Sequence, residues 1–302
     1  MADVTDAAFR FIIAKYGKPD VMWTEFVSAD GLCSEGKKAL LHNLRFDESE
    51  RPIVAQFFGA TPEHFYSCAL LARELGFDGV DINMGCPEKN VVKQGAGAAL
   101  IKNPSLAKRI IEETKRGAGP LPVSVKTRIG FNAKEELSWI PALLEAGPAC
   151  IVIHGRTKKE MSLVPADWET IGRAAELAKR FGSSSEKTLI VGNGDVTGLE
   201  DAAEKAARYE LDGVMIGRGI FGNPWLFAGL SPSKEEKLRV MVEHTFLFEK
   251  FFKGIKSFDV MKKHYKAYVN GFRGAKELRI KLMEAKNAEE VADIVEKNVM
   301  KV

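Results

Sequence analysis

Cys86 stands between Gly85 and Pro87, in a turn that follows Asp81-Ile82-Asn83 and precedes Gly95-Ala96-Gly97. A thiol with an ordinary pKa of about 8.5 stays mostly protonated near neutrality, so at an open turn it can give a proton. Packed among apolar groups it is only a small hydrophobe, the reading that suits Cys68 and Cys150. Nucleophilic use needs a base beside the sulfur, and no obvious His-and-base set accompanies Cys86. Two further segments suit an anion: Gly192-Asn193-Gly194-Asp195 and Gly217-Arg218-Gly219. Each offers backbone donors at the end of an apolar run, and Arg218 adds a guanidinium, a set that fits a phosphate. Alone, Gly217-Arg218-Gly219 describes a turn with a surface arginine equally well. Two glycine-rich ends on consecutive runs make room for the phosphate. Gln56, Asn83, Lys126 and His154 also sit at run ends, as ligand contacts or as satisfied polar groups at a rim.

The runs themselves must position these residues. Val21–Glu25, Pro52–Gly59, Gly79–Gly85, Pro122–Gly130, Cys150–Arg156, Thr188–Val196 and Gly213–Phe221 are continuously apolar rather than alternating. Such runs predict strands buried on both faces, hence a parallel sheet. Amphipathic stretches lie between them, such as Thr61–Leu75, where Phe65, Leu70, Leu71 and Leu75 can share a face behind a Thr-Pro start. Repeated strand–helix alternation gives a doubly wound sheet or a (β/α)8 barrel. Polar or glycine residues end nearly every run, which favours a TIM-type barrel, because its strand ends converge on one mouth. An open sheet would gather them at one switch point. Seven runs are visible against the eight of a barrel. The helix predicted over Thr5–Tyr16 should follow a first strand ahead of Met1, which implies either a start placed too far downstream or a barrel open on one side. After Asn223-Pro224-Trp225 no strand-like run recurs, and Ser231-Pro232-Ser233 opens three or four helices. The predicted domains are therefore a barrel over 1–229 and a helical domain over 230–302.

The chain has 302 residues, 45% hydrophobic and 28% charged. A chain this long buries roughly 75% of its unfolded surface, and the composition excludes disordered and collagen-like classes. No apolar run reaches the roughly 18–20 residues of a membrane span, and no secretory h-region follows Met1. Four scattered cysteines with no Cys-x-x-Cys pair argue against a disulfide framework or zinc site and for a reducing cytoplasm. The net charge of +3 is unevenly spread. Ser231 to Val302 holds 16 Lys+Arg against 11 Asp+Glu, and Lys250 to Lys286 alone holds 11 against 3. A basic lobe beside a near-neutral remainder suits a polyanion, although a solvated helical face would show the same charges.

Taken in order, several motifs resemble the tRNA-dihydrouridine synthase family in its bacterial branch. They are Thr5-Asp6-Ala7-Ala8-Phe9-Arg10, Val54-Ala55-Gln56-Phe57, Asn83-Met84-Gly85-Cys86-Pro87 with Gly95-Ala96-Gly97, and Val125-Lys126-Thr127-Arg128. His154-Gly155-Arg156-Thr157, Gly192-Asn193-Gly194-Asp195 and Gly213–Gly219 follow, with Lys263-His264 and Glu277-Leu278-Arg279 in the tail. The resemblance spans nearly the whole chain. It implies a barrel that binds flavin mononucleotide (FMN), a helical domain that grips tRNA, and NADPH as electron donor. It implies that Gln56 and Lys126 hold the flavin ring with His154 nearby, and that Asn193, Gly194, Asp195, Gly217 and Arg218 hold its phosphate. Met1, with Ala2 beside it, stands at the Met of the family's Pro-Met pair that touches the flavin, and the Pro and the strand before it are not in the sequence.

By the same resemblance Cys86 protonates C5 of uracil while hydride reaches C6, after the base swings out of the tRNA. Asn83 and Arg128 are the candidates for reading the uracil edge. Lys262, Lys263 and Lys266 are the candidates for the tRNA backbone, a salt-sensitive grip. Two rival readings are another FMN barrel acting on a small molecule and a non-catalytic RNA-binding relative. The basic tail speaks against the first, and a bound flavin would speak against the second.

Overall fold

The computed structural model describes residues 3–181 and 187–299. In chain order its main elements are α1 (Ala7–Tyr16), β1 (Met22–Ser28), β2 (Ile53–Phe58), α2 (Pro62–Glu74), β3 (Gly79–Asn83), α3 (Pro104–Ala118) and β4 (Val123–Arg128). Then come α4 (Glu136–Leu144), β5 (Cys150–His154), α5 (Trp168–Phe181), β6 (Leu189–Asn193), α6 (Leu199–Arg208) and β7 (Gly213–Met215). Four helices follow: α7 (Lys234–Phe252), α8 (Lys262–Tyr268), α9 (Ala275–Glu284) and α10 (Ala288–Val299). The chain divides into two compact units. One holds Trp23–Arg45 and Pro52–Gly217; the other holds the remaining described residues. The boundary expected near Gly229 lies inside the second unit, because α1 and the Glu48–Glu50 turn group with the C-terminal helices.

Each of the seven apolar runs coincides with one strand, although β1 extends past the expected Val21–Glu25 to Ser28. The strands form a single sheet in the order β1-β2-β3-β4-β5-β6-β7, and every pairing from β2 to β7 is parallel. Sequential parallel order with helical crossovers is that of a TIM-type barrel and has no switch point. The sheet has seven strands, and β1 and β7 are its edges among the described residues. All five residues of β3 are buried, as are Ile53, Ala55 and Phe57 of β2 and Ile151, Val152 and Ile153 of β5.

The helices show where local chemistry sets their ends. Pro62 opens α2 and Pro104 opens α3, where a missing N–H costs nothing. The Asn103 side chain caps α3 by accepting from Leu106 N at 3.2 Å. The buried face of α2 is Phe65, Cys68, Ala69 and Ala72 rather than the leucine face expected, and Leu75 is 42% exposed. Small residues win there because α2 lies tight against α3. A Cβ on Gly117 of α3 would come within 2.2 Å of the Tyr66 carbonyl oxygen. Leucines on that face would push the helices apart.

In the other unit, Asp6 caps α1 by accepting from Phe9 N at 3.0 Å, and Ser233 with Glu236 forms a capping box on α7. Its core gathers Ala8 and Ile12 of α1, Trp225, and Met241, Phe248, Tyr265, Tyr268 and Leu282 from the C-terminal helices. Tyr265 and Tyr268 are thus core residues, which excludes them from stacking on bases. The buried Arg10 guanidinium donates to Glu50 at 2.6 Å and to the Thr5 carbonyl at 2.7 Å. Buried charge demands this kind of pairing.

Candidate active site

Strand register brings the run-end residues side by side. Gln56 pairs with Asp81, Asn83 with Lys126, Arg128 with His154, His154 with Asn193, and Asn193 with Met215. Parallel strands in sequential order therefore line up polar side chains from five consecutive strands along one sheet end.

A directed chain of hydrogen bonds starts at the Cys86 loop. The backbone N–H groups of Gly85 and Cys86 donate to Asn83 Oδ1 at 3.1 and 2.9 Å. That fixes the Asn83 oxygen, so its amide nitrogen faces Gln56 and donates to Oε1 at 3.2 Å. Gln56 Nε2 in turn donates to Asp81 Oδ2 at 2.7 Å, and Ser124 Oγ donates to Asp81 Oδ1 at 2.5 Å. Each amide has one possible orientation, since a carboxylate only accepts and an N–H only donates. Asp81 is fully buried, and burial pushes its carboxyl up to about 6 against the pull of Ser124, Gln56 and Lys126. Asp81 and Ser124 were not singled out from the sequence. Their signal was a carboxylate and a hydroxyl inside apolar strand runs.

The Cys86 loop is held from three sides. Arg128 Nε donates to the Gly85 carbonyl at 2.7 Å, Ala98 N donates to the Cys86 carbonyl at 3.0 Å, and Thr127 Oγ1 to the Met84 carbonyl at 3.3 Å. Gly97 must be glycine: its φ is +58°, and a Cβ there would meet the Cys86 carbonyl oxygen and Val91 at 2.8 Å. Arg128 is largely spent on carbonyls, since Nη1 also donates to Thr157 and Met161, both at 3.1 Å. It braces the loop. The Cys86 thiol is half-buried, and burial raises its pKa above the ordinary value. The sulfur is thereby kept protonated.

Lys126 Nζ donates to Asn193 Oδ1 at 3.0 Å, and Asn193 Nδ2 donates to the Met215 carbonyl at 2.8 Å. Burial, with Arg128 adding to it, lowers Lys126 to about 8, while Asp81 opposes the shift. His154 is pushed down to about 2 by burial and by Lys126, Arg128 and Arg156, so its ring is neutral. Asp195 sits at φ +50° behind Gly194 at φ +130°. Its carboxylate pairs with Arg156 and accepts from Ala166 N at 2.9 Å. Gly217 ends the barrel unit in open space, whereas the exposed Arg218 begins the other unit. Met1 and Ala2 lie outside the described residues. In the helical unit Lys262 pairs with Asp259 at 2.6 Å, Lys263 Nζ donates to the Asp3 carbonyl at 2.6 Å, and Lys266 is exposed.

The strand-end donor set fits a flavin ring. Lys126 supplies a cation, His154 a neutral imidazole, and Gln56 and Asn83 amides whose orientations are already set. A flavin's pyrimidine edge offers carbonyl oxygens and ring nitrogens that such groups can bind. No group of three or more His, Cys, Asp or Glu that could hold a metal ion exists among the described residues. Likewise, no described helix is long and apolar enough to cross a membrane.

Comparison with known proteins agrees with this arrangement. The dihydrouridine synthase family model matches residues 1–302. A probable tRNA-dihydrouridine synthase of Staphylococcus aureus (strain COL) is 40% identical over 301 residues, covering 98% of this chain and 90% of that protein. Probable tRNA-dihydrouridine synthase 2 of Bacillus subtilis (strain 168) is also 40% identical, covering 98% and 91%. The family is one of flavin-dependent oxidoreductases, and this chain belongs to the dihydrouridine synthase family.

Proposed function

We propose that this chain reduces the C5–C6 double bond of uridines in tRNA, with Cys86 as the proton donor to C5. The observation that supports the reading is the braced Cys86 loop, bonded by Asn83 and Arg128, with a half-buried thiol that burial keeps protonated. Flavin mononucleotide, when bound, supplies the hydride for C6, with NADPH as the source of its electrons. Lys126 and Gln56 hold the flavin ring, His154 lies beside them, and Lys126 offers positive charge for the electron-rich form. Asn193, Gly194 and Gly217 with Arg218 are the proposed phosphate contacts, and Asp195 serves them indirectly by anchoring Arg156. Met1 and Ala2 are proposed as a further flavin contact by resemblance alone. Asn83 and Arg128 present the loop to the uracil edge. The basic stretch Lys250 to Lys286 holds the tRNA backbone, with Lys266 and its neighbours Lys262 and Lys263 as contacts. Such an enzyme works where tRNA matures, in the cytoplasm.

Cys86→Ala tests the reading. Flavin binding and NADPH-driven flavin reduction stay near wild type, while dihydrouridine formation by the pre-reduced protein falls about 10²–10⁴-fold, the usual share of general acid catalysis. Equal single-turnover rates in both proteins remove Cys86 from the mechanism.

A further inference from the structure

Arg156 is buried beside His154, with 3% of its surface exposed, although no role followed from its place in the His154-Gly155-Arg156-Thr157 motif. Its guanidinium is fixed at three points. Nε donates to the Val164 carbonyl at 2.5 Å, Nη2 to the Asp195 carboxylate, and Nη1 lies 3.2 Å from His154 Nε2. A guanidinium has five N–H donors, no acceptor, and does not lose its proton in proteins. Nε2 must therefore be the accepting, unprotonated nitrogen, and in a neutral ring the hydrogen sits on Nδ1.

The His154 ring also packs beside the turn after β6. Gly194 backs it so closely that a Cβ there would come within 3.1 Å of His154 Cδ2 and 3.4 Å of Nε2. Asp195 occupies the left-handed region, and its carboxylate reaches both Arg156 and Ala166 N from that conformation. A non-glycine residue in that region is strained, and the contacts to Arg156 and Ala166 hold it there. The groups facing the ring are Lys126 and Arg128 from β4, Arg156 from the turn after β5, and Asp195 from the turn after β6. Three cations against one carboxylate disfavour an imidazolium. Among the described residues, no group is bonded to Nδ1, and that nitrogen is not among the enclosed polar atoms without a partner.

We propose that Arg156, anchored by Asp195, is a positioning residue that holds His154 as the neutral tautomer with its hydrogen on Nδ1, leaving this N–H as a donor to a carbonyl oxygen of the bound ligand. Lys126 as a cation and His154 as a neutral donor then have distinct tasks. The donor is unaffected by pH across the neutral range, unlike an ordinary histidine with a pKa of about 6.5. The ligand half of this inference rests on the flavin and uridine reading above; the tautomer half does not.

The test is ¹⁵N NMR of histidine-labelled protein, first without flavin and then after addition of FMN. In the free wild-type protein, His154 shows a pyrrole-type Nδ1 and a pyridine-type Nε2, unchanged from pH 8 to pH 5. Arg156→Met removes the donor and gives a mixture of the two neutral tautomers, and Arg156→Lys, which keeps a cationic donor, restores the single form at least in part. A wild-type ring with its hydrogen on Nε2, or a protonated ring at pH 7, overturns the proposal without recourse to any variant. Addition of FMN shifts the Nδ1–H resonance if the donor meets the flavin. A single Nδ1–H form with no shift on demonstrated FMN binding overturns the ligand half. Failure of FMN to bind counts against the flavin reading and leaves the tautomer result standing.

Discussion

At the scale of single residues, Lys126 and Asp81 show how the site sets its charges. Both are drawn toward neutrality by burial, Asp81 up to about 6 and Lys126 down to about 8, and each opposes the other's shift. Lys126 is cationic below its pKa, so any step needing that cation fades as pH rises through about 8. Removing the Asp81 charge withdraws support from the cation and lowers the Lys126 pKa further. In Asp81→Asn the alkaline limb of the pH–rate profile for dihydrouridine formation should move to lower pH. An alkaline limb at the wild-type position would mean that Asp81 does not bear on the reacting charge. The same substitution tests the amide chain, because an asparagine cannot accept from Gln56 and Ser124 through two equivalent oxygens.

At the scale of elements, the loop after β3 is held by its neighbours as much as by its own residues. Asn83, Arg128, Thr127 and the turn at Gly97 all bond it or abut it. Gly97→Ala forces a Cβ against the Cys86 carbonyl oxygen and puts a non-glycine residue at φ +58°. The backbone strain alone is about 1–2 kcal/mol, and the clash adds to it. Urea denaturation should show at least that loss, and turnover should fall more than flavin affinity does. The loop would then shift away from the reacting base. Wild-type turnover with intact stability would show the loop to be more tolerant than its packing implies.

For the molecule as a whole, the core of the helical unit contains an acid-sensitive feature. His244 and His264 are fully buried, with ring centroids 4.8 Å apart. Among the described residues, His264 Nδ1 and Nε2 and His244 Nε2 have no hydrogen-bond partner. Burial lowers His264 to about 3, with Lys263 adding to the effect, and lowers His244 well below its usual value. A folded-state pKa below the unfolded one means that the unfolded chain takes up protons first as pH falls. The His264 contribution is therefore intact above about pH 6.5 and drains as pH drops toward about 3, at roughly 1.4 kcal/mol per pH unit, and His244 acts in the same direction. His264→Leu should leave stability at pH 7 equal or higher, since two unpaired buried nitrogens disappear. Its loss of stability between pH 7 and pH 5 should be smaller than in wild type. Parallel pH dependences in urea denaturation would place the acid sensitivity elsewhere.

The sequence by itself determined the strand count, the parallel barrel class and the rim residues. Continuous Val- and Ile-rich runs have few alternatives to buried parallel strands, and the residues closing them must sit at one sheet end. It also determined that Cys86 differs from Cys68, because Gly85 and Pro87 mark a turn whereas Cys68 lies on a helical face. Tertiary structure alone decided the buried face of α2, where the approach of Gly117 to Tyr66 favours Ala69 and Ala72 over leucines. It decided that Arg128 bonds the Gly85 carbonyl, that Asp195 pairs with Arg156, and that Asp81 anchors the amide chain. Those hydrogen-bond assignments depend on which partners lie within about 3 Å although they are 25 to 43 residues apart, and local spacing carries no record of such distances.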